Sequence, residues 1–283
     1  MECIGKDEIT TMTREIGFCA EYKEEKKEVK ETPVITEQPT PCKSMVRVQF
    51  LTRNTTLTYY NDKFDLQCGN LVYVEGCYEG MLGRVVEVNY NFKIKLSEYK
   101  KVIEVVDTTV QGELFMAGSH LISFDRNVIP KEKIIRWFLA PEKEEEEYAS
   151  GFDDTSFPLE TLEGFKVSEA IAERGHGYYM SSKVRYLCVD GTKGYAIVEG
   201  GHNYEVEFEF RNGEISNLIC SCFCSYNCKH EVATLMQLRE TLEWIEEHYN
   251  GGYEEIGYFA TICKGTLFSF TVKNSEAGKL VLQ

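Results

Sequence analysis

The chain has 283 residues, of which 43% are hydrophobic and 12% are aromatic, so it can bury a core and full-length disorder is excluded. Its 31 Lys and Arg against 46 Asp and Glu give a formal net charge of −15, which argues against wrapping nucleic acid on one large basic surface. No apolar run reaches the roughly 18–20 residues of a bilayer span, and the first 20 residues carry charges in place of an apolar export signal. We therefore expect a cytoplasmic protein without membrane contact.

Charge runs and prolines divide the chain into five parts. Mixed charge followed by prolines predicts a disordered tail over 1–44. A second break, over 141–155, has seven acidic residues and one basic residue and is typical of a linker. The remaining parts are a β-barrel domain over 45–140, a second module over 156–250 and a β meander over 251–283 that packs on that module.

In the first domain, short apolar runs separated by glycine turns predict a small β-barrel. The predicted strands are 45–51, 71–74, 85–88, 93–96 and 102–106. The run Gly69–Gly76, followed by Gly80, Gly83 and Arg84, resembles the KOW motif of SH3-like barrels, which implies contact with RNA or with polymerase-associated proteins. A plain structural barrel is the alternative, because glutamates stand where nucleic-acid-binding copies carry basic residues.

The second module is predicted to contain an antiparallel sheet and two helices, giving an α+β protein. From Tyr204 to Phe210, apolar residues alternate with glutamates, which is the period of a strand with one buried face. Asn212-Gly213 follows as a hairpin turn, since both residues tolerate positive φ. The further predicted elements of this module and of the C-terminal meander are strands 183–189, 194–198, 214–219, 257–263, 267–272 and 280–282, with helices 159–174 and 232–249.

Four cysteines and a histidine lie within eleven consecutive positions. The order Cys220-x-Cys222, five residues, then Cys228-x-His230 offers three thiolates and an imidazole, which suit tetrahedral zinc. The cysteine pair ends a predicted strand, and the second pair begins a helix whose positive end favours a three-thiolate site. Two alternatives stay open: Cys224 in place of Cys220, with a tighter knuckle, or a set of metal-free buried cysteines.

This arrangement resembles the SWIM zinc finger, in which strands lead into C-x-C, a short knuckle and C-K-H at the start of an amphipathic helix. The approach to the cysteines is similar at Ala170-Ile171, Arg174-Gly175, Tyr178-Tyr179 and Lys183-Val184, so the resemblance spans about 157–240. It implies a ββα module closed by one structural Zn²⁺ on the same three cysteines and histidine. Such modules occur beside DNA-remodelling ATPases, transposases and regulatory proteins, and are thought to bind DNA or protein.

No catalytic motif is visible in the sequence. It has no Walker loop, no H-E-x-x-H, no G-x-S-x-G and no dinucleotide fingerprint. A zinc ion with four protein ligands also lacks the open position that catalysis needs. We therefore expect a non-catalytic adaptor and not an enzyme.

Two functions are compatible with such an adaptor. The first is a role in nucleic-acid transactions together with a protein partner such as a helicase-like, DNA-acting ATPase. A local patch would then make a few salt-sensitive phosphate contacts through Lys183, Arg185, Lys229 and Arg239. The alternative is a pure protein–protein interaction module, which is favoured by the 15 acidic and 8 basic residues of 156–250.

Overall fold

The structure is a computed structural model that describes residues 43–50, 53–141, 155–222, 224–248 and 257–271. In these ranges the chain forms mostly antiparallel β-sheet with few helices, which confirms the mixed α and β class. The predicted tail and acidic linker lie almost wholly outside the described residues. None of the helices in these ranges combines the length and the apolar character that crossing a lipid bilayer requires.

The first sheet is built from the N-terminal part of the described chain. Its strands are β1 (Ser44–Phe50), β2 (Thr55–Asn61), β3 (Leu71–Val74), β4 (Gly83–Asn89) and β5 (Val102–Val106). They lie in the order β2-β1-β4-β3-β5, and every adjacent pair is antiparallel. Alternation of apolar and polar residues along β1 places Val46, Val48 and Phe50 in the core of this sheet, as the period of a strand requires.

The predicted closed barrel is not confirmed, because the described strands form no continuous ladder between the two edges of this sheet. A single parallel bridge joins Tyr60 of edge strand β2 to Lys101, the residue directly before edge strand β5. The predicted strand 93–96 was wrong: this segment is unpaired within the described sheet, and a short 3-10 helix covers Leu96–Glu98. Strand β2 was missed because its sequence, TTLTYYN, lacks a clear alternation.

The second sheet has eight strands. They are β6 (Phe115–Ala117), β7 (Leu121–Ser123), β8 (Phe157–Pro158), β9 (Val184–Asp190), β10 (Lys193–Glu199), β11 (Asn203–Arg211), β12 (Glu214–Cys220) and β13 (Tyr258–Cys263). Their order is β6-β7-β13-β9-β10-β11-β12-β8. The predicted hairpin between β11 and β12 is confirmed, with φ of 52° at Asn212 and 80° at Gly213, the left-handed pair that a tight two-residue turn needs.

Four α-helices accompany the sheets in the described ranges. They are α1 (Lys131–Phe138), α2 (Glu169–Met180), α3 (Lys229–His248) and α4 (Lys264–Thr271). The predicted helix after the cysteines is confirmed as α3, whose Leu235, Leu238 and Ile245 lie in one buried cluster with residues of β9, β10 and β11. Helix α3 therefore covers one face of the second sheet.

The helix predicted over 159–174 was misplaced by about ten residues. Leu162 and Gly164 have φ of 54° and 97°, left-handed values that no α-helix accommodates, and α2 starts at Glu169. Gly175 does not end the helix but lies buried inside it. A Cβ atom there would lie 2.4 Å from the Cβ of Val232, so glycine allows α2 and α3 to approach closely.

The predicted C-terminal meander is only partly present. Its first strand is confirmed as β13, but the predicted strand 267–272 was wrong, since α4 occupies Lys264–Thr271. The Thr271 hydroxyl donates to the Leu267 carbonyl over 2.8 Å, a bond within the last turn of the helix. The predicted strand 280–282 lies outside the described residues.

The two sheets share apolar contacts through α1. Tyr73 of the first sheet and Trp137 of α1 lie in one buried cluster with residues of β9 and β13. The Trp137 indole N–H donates to the Asp107 carbonyl over 2.8 Å, and the Tyr73 hydroxyl donates to the Arg136 carbonyl over 3.0 Å. Strands β6 and β7 join the second sheet, so residues from the segment 45–140 contribute to both sheets.

Candidate metal centre

Strand β12 and helix α3 bring three cysteines and one histidine together. All four ligand atoms lie within 4.8 Å of one another in a group formed by Cys220, Cys222, Cys228 and His230. The His230 Nδ1 atom is 3.6 Å from Sγ of Cys220 and 3.7 Å from Sγ of Cys228. In a tetrahedral zinc site, bonds of about 2.3 Å to sulfur and about 2.0 Å to nitrogen place these atoms about 3.5 Å apart. The group can therefore hold one metal ion.

These four residues are the ligand set that the sequence favours, in which five residues separate Cys222 from Cys228. The alternative ligand, Cys224, is exposed and is not part of the group. Cys228 and His230 are buried, whereas Cys220 and Cys222 are partly exposed. The site therefore has one side in the core and one side near the surface.

The start of α3 is fixed by a hydrogen bond that sequence analysis missed. A Glu231 carboxylate oxygen accepts the backbone N–H of Cys228 over 2.7 Å. This is the spacing of a capping box, in which the residue at the third helical position caps the residue before the helix. The signal was present in the sequence as Glu231 three residues after Cys228, and it orients the ligand-bearing turn.

The thiols and Glu231 influence one another electrostatically. The hydrogen bond from the Cys220 thiol, together with that from His230, lowers the pKa of Cys228 to about 4 despite burial. The same bond and burial raise the pKa of Cys220 well above its usual range. Burial and the neighbouring Cys228 thiolate raise the pKa of Glu231 to about 8. A buried negative sulfur beside two further thiols is a donor set that a divalent cation stabilises.

Two tyrosines that sequence analysis did not single out as site residues surround the imidazole of His230. The ring of Tyr204 is stacked on it, with centroids 4.2 Å apart and planes at 21°. The ring of Tyr178, in α2, meets it edge-on at 5.5 Å and 63°. Strand β11 and helix α2 therefore both contribute to the site, although neither carries a ligand.

The chain matches no protein-family model, no curated protein and no solved structure. The SWIM resemblance therefore stays a prediction from the sequence.

The predicted basic residues do not form one open patch. Lys183 and Arg185 both pair with the carboxylate of Glu199, at 2.5 Å and 2.8 Å. Lys229 lies over the ring of Tyr178, with Nζ 5.1 Å from the centroid. One of the two positive charges of Lys183 and Arg185 is therefore balanced within the protein by Glu199.

Arg239 lies apart from the other three. Its guanidinium donates to the Glu160 carbonyl over 3.3 Å, and it borders a surface cavity that Glu240 and Glu243 also line. Ten residues of α3 separate Arg239 from Lys229, which is about 15 Å along a helix. Each of these two residues would meet a different part of an extended ligand.

Proposed function

We propose that the cysteine–histidine group binds one structural Zn²⁺, and that the chain is a non-catalytic SWIM-type adaptor. In this proposal it serves nucleic-acid transactions together with a protein partner such as a helicase-like ATPase. The observation that carries the proposal is the convergence of the end of β12 and the first turn of α3 on one point. Three sulfur donors and one imidazole at that point suit zinc better than the oxygen-preferring cations.

A metal ion in this group would cross-link the sheet to the helix that covers it. The metal supplies no reaction step, because four protein ligands complete a tetrahedral shell and leave no position for water or substrate. The chain's own residues do the rest: Glu231 caps the helix, and the two tyrosines hold the imidazole. This supports a structural zinc ion and argues against an enzyme built on it.

Two finer features belong to the same proposal. The single bridge from β2 to Lys101, directly before β5, together with the KOW resemblance, supports an SH3-like barrel as the form of the first sheet. A cytoplasmic location is supported by the cysteines, since thiols that bind zinc have to stay reduced. Both features fit an adaptor that works inside the cell on a nucleic-acid-linked partner.

The nucleic-acid role is tested by fluorescence anisotropy of the zinc-loaded protein with labelled single- and double-stranded DNA and RNA, at 50 and 200 mM salt. Three or four phosphate contacts should weaken binding by about 40- to 150-fold between these concentrations. Lys229→Gln and Arg239→Gln should each weaken binding, and Lys193→Gln, at the far end of β10, is the matched control.

Glu199→Gln sharpens this test, because it removes the carboxylate that balances Lys183 and Arg185. If these residues contact phosphate, the variant should bind nucleic acid more tightly than the wild type and with a steeper salt dependence. Unchanged binding by Glu199→Gln would remove Lys183 and Arg185 from the interface.

A pure protein-interaction module is the second candidate, and the pairing of Glu199 with both Lys183 and Arg185 favours it. Under this candidate, no nucleic acid binds even at 50 mM salt. The zinc content and the fold are then unchanged, and cross-linking of the zinc-loaded protein to a purified helicase-like ATPase becomes the direct test. The absence of binding in both experiments would contradict the adaptor role as stated.

A further inference from the structure

The second ring nitrogen of His230 has an unusual environment for a metal ligand. Histidine ligands almost always donate their other ring N–H to a carboxylate, a carbonyl or water, which fixes the ring orientation. The His230 Nε2 atom is buried and has no hydrogen-bond partner within the described part of the chain. Within the described residues, ring contacts and not a hydrogen bond hold the plane of this imidazole.

The ring of Tyr204 fulfils this requirement geometrically. Its nearly parallel stack on His230 fixes the plane of the imidazole, and the edge-on ring of Tyr178 limits rotation from another side. In this orientation Nδ1 faces the sulfurs of Cys220 and Cys228.

Gly200 provides the space in which this ring pair fits. A Cβ atom at this position would lie 2.9 Å from Cε2 of Tyr204 and 3.4 Å from Nε2 of His230. The Gly200 N–H donates to the His202 carbonyl over 2.7 Å, so the turn that carries Tyr204 is closed next to the metal group. An added Cβ at 200 would press on the ring of Tyr204 while in van der Waals contact with His230, and so would disturb the stack.

We propose that Tyr204 is a positioning residue for the metal ion: its ring, admitted by Gly200, orients His230 so that Nδ1 is the metal-binding atom. The inference rests on the proposed zinc site and adds to it a residue outside the ligand set. The aromatic ring of Tyr204 orients the imidazole, and its hydroxyl takes no part. Tyr204→Phe should therefore retain the Zn²⁺ affinity, and Tyr204→Leu should lower it.

The test compares the purified full chain with Tyr204→Leu, Tyr204→Phe and Gly200→Ala. The matched control is Tyr226→Leu, because Tyr226 lies inside the knuckle and is 87% exposed. Zn²⁺ affinity is measured by competition with a chromogenic chelator, and the cobalt-substituted protein gives the d–d absorption bands that report the geometry at the metal.

We expect Tyr204→Leu and Gly200→Ala to lower the Zn²⁺ affinity by about 10- to 100-fold and to shift the d–d bands. Tyr204→Phe and Tyr226→Leu should stay within about threefold of the wild type, with its spectrum. Wild-type affinity and spectrum in Tyr204→Leu would overturn the positioning role, as would a loss in Tyr204→Phe equal to that in Tyr204→Leu.

Two further outcomes separate the failure of this inference from the failure of the zinc site. A wild-type chain that binds neither Zn²⁺ nor Co²⁺ contradicts the proposed function itself. If Tyr204→Leu does not fold, the Zn²⁺ affinity and the d–d bands of Gly200→Ala test the inference instead. Wild-type values of both in Gly200→Ala would overturn it.

Discussion

The Nδ1 atom of His230 lies 3.6 Å from the Sγ atom of Cys220, although one residue is in the first turn of α3 and the other ends β12. This contact connects a strand of the second sheet to the helix that covers the sheet. A metal ion at this point would therefore stabilise the whole layer arrangement, and its loss would affect residues far from the ligands.

Cys228→Ser should remove the metal and unfold the second sheet and α3. Metal binding in such sites is linked to folding by on the order of 10 kcal/mol, which is comparable to the whole stability of a typical domain. Zinc content by mass spectrometry and far-UV circular dichroism measure the two effects. Cys224→Ser is the control and should retain one zinc ion and the full helix signal. If Cys224→Ser loses the metal instead, the ligand assignment is incorrect.

Gly175→Ala should destabilise the contact between α2 and α3. The added Cβ would lie 2.4 Å from Val232 and 3.0 Å from the Lys229 carbonyl, an overpacking that costs about 1–3 kcal/mol. The control lies two residues away in the same helix: Gly177→Ala adds a Cβ that meets nothing within 4 Å and should stabilise by up to about 1 kcal/mol. Urea unfolding measures both, and equal effects of the two substitutions would contradict this packing.

The pairing of Glu199 with two cations predicts a specific pH dependence. Although burial alone would raise it, hydrogen bonds from Lys183 and Arg185 lower the pKa of Glu199 below its usual value. An acid with a lowered pKa stabilises the fold above its unfolded pKa, about 4.3, and this stabilisation is lost as the pH falls through the folded value. The wild type should therefore have a higher free energy of unfolding than Glu199→Gln at pH 7, and this difference should disappear below about pH 4. Thermal unfolding across that range measures the difference, with Glu209→Gln on the exposed face of β11 as control. A difference independent of pH would exclude the ion pairs as its source.

Trp137→Ala should destabilise both sheets together. The indole is buried, stacks on Phe270 with centroids 5.0 Å apart and donates to the Asp107 carbonyl, and removal of such a side chain costs about 3–5 kcal/mol. Trp137→Phe keeps a six-membered aromatic ring but loses the pyrrole part of the indole and the hydrogen bond, so it should cost more than the about 1 kcal/mol of that bond and less than Trp137→Ala. Amide hydrogen exchange of β3 and β9 should show equal loss of protection in Trp137→Ala. Unchanged protection in β9 would mean that α1 does not couple the sheets.

The local patterns that predicted the second sheet are strong ones. Alternation from Tyr204 to Phe210, the Asn212-Gly213 turn and the amphipathic period after His230 each depend on neighbours in sequence, and the structure contains the corresponding elements. The spacing of the cysteines and histidine is also local, which is why the candidate metal group could be found without the fold.

The errors come from residues whose conformation depends on distant contacts. Gly175 directly follows the helix predicted over 159–174 and fits a helix end, but Val232 packs against it from another helix, and glycine is required for that contact. The apolar run at 267–270 fits either a strand or a helix, since four residues show no period. Tyr204 and Gly200 gave no signal for the metal site, because their relation to His230 exists only after β11 and α3 pack together.

X-ray absorption spectroscopy of the purified protein at the zinc edge, with zinc content per chain, tests the central claim most directly. The account predicts one zinc ion per chain, with three sulfur neighbours at about 2.3 Å and one nitrogen at about 2.0 Å. A chain that folds with its α3 helix intact and carries no zinc, or whose metal has oxygen neighbours in place of sulfur, would contradict it.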